Sequence, residues 1–219
     1  MASTATAVPA RPHWSRAIEA GVLYLGAPLV MALVLPPSAL FPTLFALTAL
    51  AMVLLALTPE FRWSELARGW GRLDWAHVGL VAVVTAAACG LVVWLLVPGQ
   101  ALRLPRTMPG LWLLILLLYP LLSALPQEIL FRLLFFRRYG GLFPSQGAAL
   151  AANAAAFGLA HLMFWNSVAV GMSAVGGLIF AHGYLARGGF PMAVVLHAVC
   201  GAIMFTSGLG TFFYHGAVR

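Results

Sequence analysis

"HVGLVAVVTAAACGLVVWLLV", residues 77–97, runs without a single acid or base other than the histidine that opens it. As a helix it would be about 30 Å long, the thickness of the hydrocarbon core of a bilayer. Comparable runs recur near 18–35, 40–57, 110–125, 146–165, 167–186 and 190–207. The chain is therefore expected to fold as an all-α, polytopic membrane helix bundle. The stretch 98–109 has room for a half-span, so the expected number of transmembrane helices is seven to eight.

Composition points the same way. Of the 219 residues 63% are hydrophobic and 8% charged, where a soluble domain carries about a quarter charged residues. No internal repeat or low-complexity tract interrupts the pattern. The expected organisation is a cytoplasmic tail over 1–17 and a single transmembrane domain over 18–219, with its chemically interesting groups in about 110–207. The first apolar run lacks a small-residue cleavage site and reads as a retained span. Cys89 and Cys200 lie far apart in apolar runs and read as packing residues.

The charge balance is twelve Arg and no Lys against five acids. A basic chain raises the question of nucleic acid, but here the arginines sit singly or in pairs between apolar runs. That pattern belongs to connections facing a cytoplasmic leaflet, so the expected partner is the membrane lipid bilayer, with no nucleic acid. With the N-terminus in the cytoplasm, inner segments carry Arg11, Arg16, Arg62, Arg68, Arg72, Arg137, Arg138 and Arg187, and outer ones Arg103, Arg106 and Arg219. The polar connection 59–75 alternates apolar and charged residues and is expected to lie on the interface as a helix. Phe212, Phe213 and Tyr214, with His215, read as an aromatic belt at the other surface.

Against this background "PQEILFRLLFFRRYGG", residues 126–141, stands out. Ser123 and Pro126 are expected to end one helix, and a new one to run over 125–139 and stop at Gly140-Gly141. Glu128 would then lie in a first turn, four residues before Arg132, the favourable order for an ion pair. An ionisable side chain at membrane depth costs roughly 2.5–3.5 kcal/mol on insertion scales and usually faces an interior cavity. The plain alternative is an ion pair that pins two helices together.

Two further helices carry polar groups. Asn153, Phe157 and His161 are spaced by four and share a face; His197 is followed one turn later by Gly201. Each histidine alone reads as a hydrogen-bonded packing residue. Glu128, His161 and His197 together, one from each of three helices, can converge on one wet pocket suited to hydrolysis. Glu128 as general base on water, with imidazoles at the oxyanion, is one chemistry that fits. Zn²⁺ held by Glu128, His161 and His197 is the other, although no H-E-x-x-H is present. Sequence alone leaves both standing, and leaves the cofactor unknown.

The three motifs resemble those of the CPBP family of intramembrane proteases, the CAAX-protease and bacteriocin-processing group related to the eukaryotic CAAX endopeptidase. That family carries E-E-x-x-x-R, F-x-x-x-H and H-x-x-x-N on successive helices. Here they read "QEILFR" at 127–132, "FGLAH" at 157–161 and "HAVCG" at 197–201. The resemblance implies a CAAX-protease-like endopeptidase of the bacterial cytoplasmic membrane, acting on a membrane-anchored or membrane-inserted peptide. It implies catalytic roles for Glu128, His161, His197 and Arg132, and positioning of substrate or water by Gln127 and Phe157; Asn153, one turn before Phe157 and outside the motifs, reads either as a further positioning group or as a helix-packing residue. In the family the first Glu, helped by the third-motif His, activates water, while the second-motif His and the Asn serve the oxyanion. Gln127 and Gly201 replace that Glu and that Asn, so Glu128 is expected to act as the base. The rival readings are a non-catalytic relative used for binding, immunity or scaffolding, and a proton-coupled carrier. Carriers show matched broken helices in two halves, whereas the functional groups here all lie in the C-terminal half.

Overall fold

The structure, a computed structural model, describes residues 13–213, and no strand occurs among them. Seven helices are long and apolar enough to cross a membrane: α1 (Trp14–Leu33), α2 (Pro37–Ala56), α3 (Trp75–Leu96), α4 (Pro109–Leu142), α5 (Gln146–Phe164), α6 (Ser167–Gly188) and α7 (Phe190–Ser207). The chain is an all-α polytopic bundle, as its hydropathy predicts. The stretch 98–109 forms only a 3₁₀ turn, Pro98–Gln100, and the short helix Arg103–Thr107 before α4 begins, so the number of spans among the described residues is seven. Residues 1–12 of the expected tail, and Tyr214, His215 and Arg219, lie outside the described residues; 13–17 are already helical.

The fourth helix corrects the expected break. It runs unbroken through Pro120 and Pro126, so Glu128 lies in mid-helix rather than in a first turn. The reason is local widening. Pro120–Ala124, the turn before Pro126, is widened into a π-helical turn, which accommodates the missing N–H and relieves the ring's clash with the preceding turn; a second π-helical stretch, Ile129–Tyr139, follows. The helix dipole at an N-terminus therefore has no part in holding the Glu128 carboxylate.

The interfacial connection also differs from expectation. Instead of an amphipathic helix it makes two short 3₁₀ turns, Trp63–Glu65 and Trp70–Arg72. Gly69, at φ 108°, turns the chain between them and lies against the Gly188 carbonyl. Ion pairs tie the connection to the bundle, Glu65 to Arg137 at 2.7 Å and Asp74 to Arg187 at 3.2 Å. Asp74 also caps α3 by accepting from the His77 N–H at 3.0 Å; that hydrogen bond, more than Arg187, holds its carboxyl below the usual range. Ser145 and Asn166 cap α5 and α6 in the same manner.

The second half of α4 is the axis of the bundle. Leu130, Phe131, Leu133, Leu134, Phe135 and Tyr139 are all buried, so neighbours cover most of this half of the helix. Helix α7 is the next most enclosed, whereas α1, α2 and α3 expose most of their apolar side chains outward. Helices α5 and α6 pack closely because small residues meet. A Cβ on Gly158 would lie 3.0 Å from the Ala174 Cβ and 3.1 Å from the Val170 carbonyl oxygen. Gly158→Leu is therefore expected to overpack this contact by about 1–3 kcal/mol, lowering the melting temperature in detergent. Gly79→Leu, placed in open space on α3, should leave it in place. Equal melting temperatures for the two variants would show that the close approach is not needed.

Candidate active site

Helices α4, α5, α6 and α7 bring the polar groups together. On α7 His197 presents Nδ1 to Glu128 Oε1 of α4 at 2.7 Å. One turn further along α4, Arg132 Nε lies 3.2 Å from the other carboxylate oxygen, a charge contact without the alignment of a hydrogen bond. Glu128 and Arg132 have no exposed surface. The Arg132 guanidinium rests 4.3 Å from the centre of the Phe157 ring and 5.3 Å from that of Phe180, so ring faces meet the charge where hydrogen bonds are few. Its Nη2 approaches the Gly177 carbonyl at 3.5 Å, and Nη1 has no hydrogen-bond partner among the described residues.

The rings form a continuous layer around this pair. His197 stacks on Phe180 with centroids 4.6 Å apart and planes 14° apart. Phe157 makes edge contacts with His197 at 5.5 Å and His161 at 4.9 Å. Spacing by four on α5 thus places Phe157 as a wedge between both histidines and the arginine.

The tautomers follow from the partners. His161 Nδ1 lies 2.8 Å from the Phe157 carbonyl, which can only accept, so Nδ1 carries the proton and Nε2 a lone pair. His197 spends its Nδ1 proton on the Glu128 carboxylate in the same way, leaving Nε2 as the lone-pair nitrogen.

Both histidines line a cavity of about 910 Å³, as do Gln127, Tyr119, Phe157 and Gly201. Glu128 and Arg132 do not; they stand behind His197. Gln127 donates from Nε2 to Ser123 Oγ at 2.8 Å. Asn153 is fully buried away from the cavity, and its Nδ2 donates to the Phe131 carbonyl. The structure therefore brings Glu128, Arg132, Phe157 and His197 into contact, sets His161 and Gln127 on the same cavity wall, and leaves Asn153 outside it. Phe180 and Tyr119 were not singled out from sequence, because an aromatic residue inside an apolar run has no pattern of its own. Phe213, expected in a surface belt, instead packs on His161 and Phe164 at 5.9 and 5.5 Å.

The cavity occupies one half of the bundle. Its wall takes Pro28 and Met31 from α1, Ser38 and Phe41 from α2, and Phe164 from α5, all beside the connections at 34–36 and 165–166. The arginine-bearing connection 57–74 and the ion pairs of Arg137 and Arg187 lie at the other end and contribute nothing to it.

A metal reading needs Glu128 as a third ligand beside the two histidines. Both its oxygens are engaged, by His197 and by Arg132, and no group of three or more His, Cys, Asp or Glu among the described residues is placed to hold a metal ion. The residues do not fit that ligand set.

Comparison with known families agrees with the motifs. Residues 109–203 match the family described as type II CAAX prenyl endopeptidase Rce1-like, which bears out the CPBP resemblance. The matched stretch contains all three motifs. No curated protein and no solved structure gives a match.

Proposed function

We propose that this CAAX-protease-like membrane protein is an intramembrane endopeptidase in which His197, oriented by Glu128, activates water. The observation that carries the reading is the contact between His197 Nδ1 and Glu128 Oε1, which leaves the opposite nitrogen of a cavity-lining imidazole free as a base. This moves proton abstraction from the carboxylate, where the motif resemblance put it, to the imidazole. A carboxylate with no exposed surface is poorly placed to meet water, but it can fix an imidazole and stabilise the imidazolium that forms.

The steps balance with water alone. Water adds through oxygen to the peptide carbonyl carbon while His197 Nε2 takes its proton. The tetrahedral intermediate collapses, the C–N bond breaks, and the imidazolium returns the proton to the leaving amine. Arg132 holds the Glu128 charge in place. His161, with Nε2 as an acceptor, holds the water or the substrate N–H, and Gln127 does the same from α4. The apolar walls suit a lipid-embedded segment of a membrane-anchored or membrane-inserted peptide.

In this reading the protein lies in a bacterial cytoplasmic membrane with its N-terminus and its arginine-rich end inside. The cavity belongs to the opposite half, so the scissile bond is presented from the extracytoplasmic leaflet. The test is a cleavage assay with purified protein in liposomes carrying a library of membrane-anchored peptides, with and without chelator. Wild-type cleavage that chelator does not change is expected. No cleavage by wild type, with cleavage gained in Gln127→Glu, would mean a silenced relative whose pocket only grips.

A further inference from the structure

The two lone-pair imidazole nitrogens leave a gap in the chemistry. Hydrolysis develops negative charge on the carbonyl oxygen, and that charge needs a hydrogen-bond donor. His161 and His197 both direct their N–H away from the cavity, to Phe157 and Glu128. One Gln127 amide proton goes to Ser123. Gly201, one turn beyond His197, brings no side chain at all.

The space beside Gly201 is filled from another helix. A Cβ built on Gly201 would lie 2.2 Å from Tyr119 Cε1, 2.5 Å from Cζ and 2.7 Å from the hydroxyl oxygen. The phenol therefore lies in a notch on α7 that exists because residue 201 is glycine. Its ring is held by edge contacts on both sides of the notch, to His197 at 5.8 Å and to Phe205 at 5.3 Å. Residues 197, 201 and 205 are spaced by four, so His197, the notch and Phe205 form one stripe along α7. Tyr119 lines the same cavity as His197, and its hydroxyl has no hydrogen-bond partner among the described residues.

We propose that the Tyr119 hydroxyl, seated in the Gly201 notch, is the hydrogen-bond donor that stabilises the oxyanion during peptide hydrolysis. The inference rests on the hydrolase reading above. The phenol stays protonated throughout: it donates to the carbonyl oxygen as charge develops and takes no part in proton transfer. Gly201 and Tyr119 act as a pair, the first making room and the second supplying the donor beside the base.

Steady-state cleavage in liposomes tests this with two variants. Tyr119→Phe keeps the ring and removes only the hydroxyl; kcat should fall about 10²-fold with little change in KM or melting temperature. Gly201→Ala places a methyl in the notch and displaces the ring, and should lower kcat by a similar factor with Tyr119 still present. Cleavage by Tyr119→Phe within threefold of wild type would overturn the proposal, and so would full activity in Gly201→Ala. No cleavage by the wild-type protein would sink the hydrolase reading and the donor role together. Wild-type cleavage with an unaffected Tyr119→Phe would sink the donor role alone.

Discussion

His197→Ala should lower kcat about 10²- to 10⁴-fold, the range for losing a positioned general base, and Glu128→Gln should fall into the same range. The two routes to inactivity differ physically. Alanine removes the base itself. Glutamine keeps the shape of the carboxylate but not its charge, so the imidazolium formed on proton transfer loses its counter-charge; an amide facing Nδ1 can also hold the ring in the wrong tautomer. Because Glu128 would act only through His197, the double variant should be no worse than either single one, as for residues that work as a unit. Direct attack on water by the carboxylate predicts otherwise. There, His197→Ala would keep a Glu128-dependent rate, and adding Glu128→Gln would lower it further. Measuring kcat for the two single variants and the double decides between an imidazole base and a carboxylate base.

The sequence showed the spans because membrane insertion leaves a one-dimensional record. A helix must present about 20 apolar residues whatever its neighbours do, and six of the seven spans have both ends within four residues of the runs read from composition. The exception is instructive. Pro126 beside Ser123 reads as a helix break because proline removes an N–H and crowds the preceding turn. In the structure that defect is absorbed by a widened turn, Pro120–Ala124, just before Pro126 in one continuous helix, and no pattern of polar and apolar residues records that widening. The 59–75 connection failed for a related reason. Its alternation was real, but Gly69 and the ion pairs of Glu65 and Asp74 fasten it to the ends of α4 and α6, and no pattern within the segment encodes those partners.

The site divides along the same line. Spacing by four placed Phe157 with His161, and Glu128 with Arg132, since both pairs obey helical periodicity. That His197 would meet Glu128 could be guessed only from there being three such groups in one apolar chain. Which of them faces the cavity was beyond the sequence: burial of Glu128 behind His197 depends on Phe157 and Phe180 closing over Arg132. Tyr119 is the extreme case. The signal for it is a side chain that is missing, at Gly201, and the residue that fills the space comes from a helix some eighty positions earlier.

Arg132→Met should destabilise the protein by about 3–5 kcal/mol, because it leaves the Glu128 carboxylate buried without its counter-charge. Methionine preserves most of the apolar stem against Phe157, so the loss reports charge more than packing. In the double variant Glu128→Gln/Arg132→Met no uncompensated charge remains, and most of that stability should return, measured by thermal unfolding in detergent. Activity should not return, since His197 would still lack its carboxylate. A single Arg132→Met variant that melts with wild type would show that Glu128 is neutral or solvated in the folded protein, and the orientation argument for His197 would fall with it. Replacing a buried ion pair by neutral groups is often neutral or stabilising. A double variant at least as stable as wild type, yet inactive, would therefore identify a pair that the bundle can fold without and the reaction cannot.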